Sequence, residues 1–145
     1  MKLVIQRVTS ANVTVNNNIV GEIGKGFLVL VGFTHSDTTQ NADYLAKKLC
    51  NLRVFEDENG KMNLNLNQVN GKLLIVPQFT LYGNCLDGNR PDFIQSAKPE
   101  IANNLYEYFC KKCEQFDIPV EKGIFRADMK VSLLNDGPVT LIIEK

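Results

Sequence analysis

A chain of 145 residues is long enough for one domain with a sizeable core. Its 16 basic and 16 acidic side chains cancel, which excludes a broad electrostatic grip on nucleic acid and leaves room only for a local basic rim. No apolar run nears the ~20 residues of a membrane span, and the first residues lack the long apolar core of a signal peptide, so the chain reads as cytoplasmic.

Lys2–Val8 is rich in β-branched residues and reads as a first strand, with Arg7 as a strand-end surface arginine. Ala11–Val15 alternates as a second strand, Asn16–Asn18 makes a turn, and Ile19–Ile23 returns. Phe27–Phe33 is continuously apolar, as a central strand covered on both faces would be. Asp37 or Thr38 caps a helix whose Ala42, Leu45, Ala46 and Leu49 form one apolar stripe. Leu52–Phe55 reads as a short strand, Asp57–Gly60 as a turn, and Lys61–Leu66 as loop or edge strand. Lys72–Val76 is a second central strand and leads into Pro77-Gln78-Phe79-Thr80.

Gly83–Pro91 is a polar loop without period, and loops beside rigid strands commonly carry function. Asp92–Ala97 reads as a short helix ended by Pro99. Ile101, Leu105, Tyr108, Phe109 and Phe116 mark a long amphipathic helix. A strand begins at Val120, and two more, Val131–Leu134 and Val139–Ile143, flank Asn135-Asp136-Gly137-Pro138, which reads as their hairpin turn. Many strands with two long helices imply a single layered domain of mixed α and β over residues 1–145.

The chemistry legible at this point is sparse. The four cysteines, Cys50, Cys85, Cys110 and Cys113, read as free thiols in a chain without a secretory signal. Cys110 and Cys113 have C-x-x-C spacing but sit late in a helical pattern, and the only histidine, His35, is remote, so no metal is expected. No nucleotide-binding glycine signature is present, and one histidine among surface-type residues argues against a serine or cysteine triad. Thr80 is a hydroxyl at a strand end with no activating base nearby in sequence. The residues point to backbone groups and turns.

Taken together, Val4–Val8, Gly26–Gly32, Leu52–Phe55, Gly60–Leu64, Gln78–Leu81, Arg90–Phe93, Ala127–Met129 and Asn135–Thr140 resemble the D-aminoacyl-tRNA deacylase (D-tyrosyl-tRNA deacylase) family, in order and over the full length. The resemblance implies an α/β domain with a mainly antiparallel, barrel-like sheet and two long helices. It implies hydrolysis of the ester joining a D-amino acid, or glycine, to the 3′ end of tRNA, without a cofactor. It also implies a homodimer with active sites at the subunit interface. Gly137 and Pro138, joined by a cis bond, would enter the partner's pocket and grip the substrate's α-amino group, rejecting L-amino acids by a clash. Arg7 would brace that turn. Gln78 would place the terminal adenosine, the N–H groups of Phe79 and Thr80 would stabilise an oxyanion, and Met129 would line the substrate site.

Two positions depart from the family pattern. Pro77 stands where the family has serine, and Arg126 where glycine or alanine is expected. Both bear on chiral strictness. The competing readings are a chirally relaxed deacylase that clears a small mischarged L-amino acid such as alanine, and a non-catalytic nucleic-acid-binding domain.

Overall fold

One long strand, β1 (Lys2–Val15), organises the molecule, and the computed structural model describes all of residues 1–145 around it. The reading of two strands, Lys2–Val8 and Ala11–Val15, is corrected here: the chain runs extended through Thr9 and Ser10. Asn16 and Asn17 then turn it with positive φ into β2 (Asn18–Ile23), as the hairpin reading predicts. β3 (Gly26–Gly32) returns antiparallel to the first half of β1. β6 (Lys72–Pro77) lies parallel to β3, and β7 (Val120–Lys122) parallel to β6. β2 packs on β6 and β7, so the mixed sheet curls nearly into a barrel. A small separate hairpin, β4 (Phe55–Glu56) with β5 (Met62–Leu64), is shorter than the strand expected over Leu52–Phe55.

The last strand brings the second correction. Val131–Leu134 and Val139–Ile143 are one strand, β8 (Lys130–Glu144), antiparallel to β1 along nearly its whole length. Asn135 pairs with Val8 and Thr140 with Gln6. Asp136, Gly137, Pro138 and Val139 therefore bulge from the ladder opposite the single residue Arg7. They are no hairpin turn, because the chain does not reverse.

Two helices cover one face of the sheet. α1 (Thr39–Cys50) is capped by Thr38, whose backbone N–H donates to Asn41 Oδ1 at 2.9 Å, and buries the predicted Ala42, Leu45, Ala46 and Leu49. Asp37 is not the cap; its carboxylate pairs with the Met1 amino group at 2.5 Å, both buried. α2 (Pro99–Glu114) starts at Pro99, with the ring at the first helical position where its missing N–H costs nothing. Asp92–Ala97 is not helical; it runs irregularly, with single bridges from Asp92 to Asn84 and from Ser96 to Thr34. The buried face of α2 is Ala102, Leu105, Tyr106, Phe109, Cys110 and Cys113, so the predicted stripe is partly out of phase: Ile101 is 46% exposed.

Strand alternation divides the core in two. Leu3, Ile5, Phe27, Val29, Val31, Leu73 and Ile75 face the helices. Val8, Ala11, Val13, Leu28, Leu74 and Val76 fill the barrel. The three inner cysteines, Cys50, Cys110 and Cys113, belong to the helix-side core as free thiols, and burial pushes the Cys110 thiol up to about 12. No helix is long and apolar enough to cross a membrane.

Candidate active site

β6 carries the chain to the candidate site. Pro77, which has no N–H to give, ends the strand beside Val31, and the Gln78 N–H donates to Val31 O at 2.8 Å. The backbone then tightens into a 3-10 turn, Phe79–Tyr82, closed by Leu81 N–H on Gln78 O at 3.3 Å. The N–H groups of Phe79 and Thr80 open that turn and so have no carbonyl within it to bond. The Phe79 carbonyl is held from the other side by Ser96 Oγ, which donates to it at 2.9 Å. Packing beneath is close. A Cβ added to Gly32, at the end of β3, would lie 2.9 Å from Gln78 O and 3.0 Å from Leu81 Cβ. Tyr106 anchors the floor, its hydroxyl donating to Ile75 O at 2.8 Å and lying 3.2 Å from Gly123 O.

A cleft of about 710 Å³ opens above this turn, within the range of small-ligand sites. Gln78, Phe79 and Met129 line it, together with Phe93, Ser96, Phe125 and Ala127, and with Lys98 and Arg126 among its charged side chains. Phe79 and Phe93 meet edge to face, centroids 5.0 Å apart. No aspartate, glutamate or histidine lines the cleft. Thr80 is exposed, and its hydroxyl accepts from Gln78 Nε2 at 2.5 Å. Tyr82 closes the same turn with a buried, unpartnered hydroxyl; burial, then the negative charge of Asp37, raises its pKa, so it is no ready base. His35 lies outside the cleft lining, its Nε2 2.6 Å from Ile94 O. The polar equipment of the site is therefore backbone N–H groups, the Gln78 amide, the Ser96 hydroxyl and the cations Lys98 and Arg126, with no acid–base pair.

Gly137 and Pro138 are elsewhere. Their peptide bond is cis, both residues are exposed, and Gly137 has φ +123°. Arg7 stands opposite them and is only 5% exposed, which overturns its reading as a surface residue. Its Nε donates to Asp136 O at 3.1 Å and its Nη1 to Val54 O at 2.6 Å, with Asp136 Oδ2 3.5 Å away. Asn135 closes the neck of the bulge, accepting from Val139 N–H at 3.1 Å and donating to Thr140 Oγ1 at 3.0 Å. Arg7 pairs with Phe27 at the start of β3, whereas the cleft begins at Val31 and Gly32. Five residues of strand, roughly 16 Å, separate the two ends.

The predicted residues thus form two groups: Gln78, Phe79 and Met129 line the cleft, with Thr80 outside its lining but bonded to Gln78, and Arg7, Gly137 and Pro138 lie at the bulge. Sequence reasoning misses Ser96, Lys98 and Phe125, which come from irregular segments or from a position that looks like ordinary core. Tyr106 is passed over for its neighbour Tyr108.

Among solved structures, the nearly closed barrel with two covering helices is shared with one titled c-Myc DNA unwinding element binding protein (TM-score 0.93, 39% identity, covering 100% of this chain and 99% of that one). It is shared also with one titled a probable eukaryotic D-amino acid tRNA deacylase (TM-score 0.85, 19% identity, covering 98% and 97%), a likeness of fold alone. The family model described as D-Tyr-tRNA(Tyr) deacylase matches residues 4–144. A Geotalea daltonii protein named D-aminoacyl-tRNA deacylase is 58% identical over 99% of this chain and 96% of its own length. A Clostridioides difficile protein of that name is 54% identical over 99% and 97%. The chain belongs to the D-aminoacyl-tRNA deacylase family.

Proposed function

We propose that this protein hydrolyses the ester of D-aminoacyl-tRNA and glycyl-tRNA, releasing free amino acid and tRNA, as a proofreading step of translation in the cytoplasm. Family membership over essentially the whole chain carries the reading. The terminal adenosine and the ester occupy the cleft, with Gln78 beside the adenosine and Met129 lining the same cleft. Water adds to the ester carbonyl carbon. The carbonyl oxygen takes the developing charge and is met by the N–H groups of Phe79 and Thr80. The bond to ribose O3′ then breaks, and O3′ gains a proton while the acid keeps the water's oxygen. The cleft offers no side-chain base, so the vicinal 2′-hydroxyl of the substrate is the proton carrier in this scheme.

The same reading makes residues 1–145 one domain and the working unit a homodimer. A bulge roughly 16 Å from its own cleft reaches the cleft of a second copy, where the carbonyls of Gly137 and Pro138 hold the α-amino group and leave no room for an L side chain. Exposed Leu134 (62%) and Ile142 (68%) flank the bulge on β8 and supply apolar surface for such a contact. The purified protein should hydrolyse D-Tyr-tRNA and Gly-tRNA and spare L-Tyr-tRNA and L-Ala-tRNA. Turnover of L-Ala-tRNA above that of D-Tyr-tRNA would replace this reading with the relaxed deacylase, and binding without turnover of any of them with the nucleic-acid-binding domain.

A further inference from the structure

The cleft is uncharged on its floor but not at its rim. Arg126 and Lys98 both line it and both are exposed. Neither takes part in an ion pair of the chain, whereas nearby Lys130 is tied to Asp128 at 3.0 Å and Lys122 to Glu107 at 2.8 Å. Lys98 immediately precedes α2, whose N-terminal N–H groups add a partial positive charge, opposed by Glu100 in the first turn. Arg126 also has φ +64°, a conformation that suits glycine and strains most L residues. A large cation kept at such a backbone position, at the mouth of a cleft, is a reason to look for a role. A neutral protein that binds tRNA needs its positive charge concentrated where the strand passes.

We propose that Arg126 and Lys98 clamp the phosphates on the 5′ side of the terminal adenosine, fixing how the single-stranded 3′ end enters the cleft. This rests on the proposed deacylase reading. With adenosine and ester inside, the next phosphodiesters leave across the rim, where a guanidinium can donate two parallel hydrogen bonds to one phosphate and an ammonium adds a point charge. The pair would make this chain depend on its substrate's backbone more than the same chain with glycine at position 126 would.

The test compares wild type with Arg126→Gly, Arg126→Lys and Lys98→Gln on two substrates, D-Tyr-tRNA and D-tyrosyl-adenosine, which lacks 5′ phosphates. Arg126→Gly should raise KM for D-Tyr-tRNA by about tenfold relative to its effect on D-tyrosyl-adenosine, with kcat little altered, and flatten the plot of log affinity against log salt by about 0.7. Lys98→Gln should act in the same direction, and Arg126→Lys should keep the wild-type slope. The Arg126→Gly protein should melt no lower than wild type, since glycine suits that φ. Equal effects on both substrates, an unchanged salt slope, or a lowered melting temperature would overturn the clamp while leaving the deacylase reading intact. Wild type that hydrolyses neither substrate would overturn both.

Discussion

Arg7 shows how one buried charge can tie distant parts of a chain together. Its guanidinium joins the bulge, through Asp136 O, to the segment before β4, through Val54 O. The fork of fixed donors serves both directions at once, and a lysine ammonium on a flexible stem cannot. Arg7→Lys is expected to lose about 1.5–3 kcal/mol of stability, measured by urea unfolding, and to slow deacylation as the bulge loosens. Thr80→Ala should act differently. The hydroxyl has no base, and the backbone N–H survives the substitution, so single-turnover hydrolysis should stay within about tenfold of wild type. Loss by orders of magnitude in a folded protein would make the Thr80 hydroxyl a chemical participant. At Gly137 the backbone itself is the constraint. A Cβ there would lie 3.0 Å from both Arg7 Nη2 and Val139 Cγ2, at a φ of +123°. Gly137→Ala should cut turnover about a hundredfold, since small misplacements of a gripping group have that effect, with a near-native circular dichroism spectrum.

Among the elements, the junction of β3 with the turn after β6 is the most exacting. The Cβ of Gly32→Ala would press on the Gln78 carbonyl, and backbone cannot swing aside as a flexible side chain can. The turn bearing the Phe79 and Thr80 N–H groups must shift, so kcat should fall about tenfold to a hundredfold with a smaller change in KM; equal kcat would detach that turn from the chemistry. How readable each element was follows from its periodicity. β3, β6 and the α1 stripe are plain in the sequence because their apolar pattern has one solution. α2 has two nearly equal ones. Ile101 and Tyr108 fit a helical stripe as well as Ala102 and Tyr106 do, and small alanine and cysteine side chains complete the true face. β8 was unreadable as one strand. Four residues outside a ladder look like a turn, and only the unbroken length of β1 shows that pairing resumes beyond them.

For the molecule as a whole, the two separated groups of site residues give the prediction with most at stake. Gly137→Ala damages the bulge and leaves the cleft intact; Gly32→Ala does the reverse. If each bulge serves the other subunit's cleft, unfolding and refolding the two variants together should recover about a quarter of wild-type activity. Half the dimers would be mixed, each with one intact cleft facing one intact bulge. No recovery, from a species that sediments as a monomer, would mean that the bulge acts within its own chain or not at all. Residue chemistry alone could not have given this architecture. The cleft is assembled from Val31, Gln78, Ser96, Phe125 and Met129, which lie on four separate stretches, and Ser96 and Lys98 come from a stretch with no period to read. The family pattern supplied the proposed roles of Arg7, Gly137 and Pro138; their residue types suggested only a turn and a surface cation.

The anchoring of the bulge has a consequence for how such a chain tolerates insertions. Residues 136–139 already stand outside the ladder, so an extra residue among them lengthens the projection and leaves both flanking registers alone. One added residue past Thr140 must instead be absorbed by slippage of the last stretch. Because strand parity is two, that slip would turn Leu141 and Ile143 away from the helix-side core and Ile142 into it. The segment is thus a projection of adjustable length on a mount of fixed pitch: residues 136–139 can lengthen while the flanking registers stay as they are.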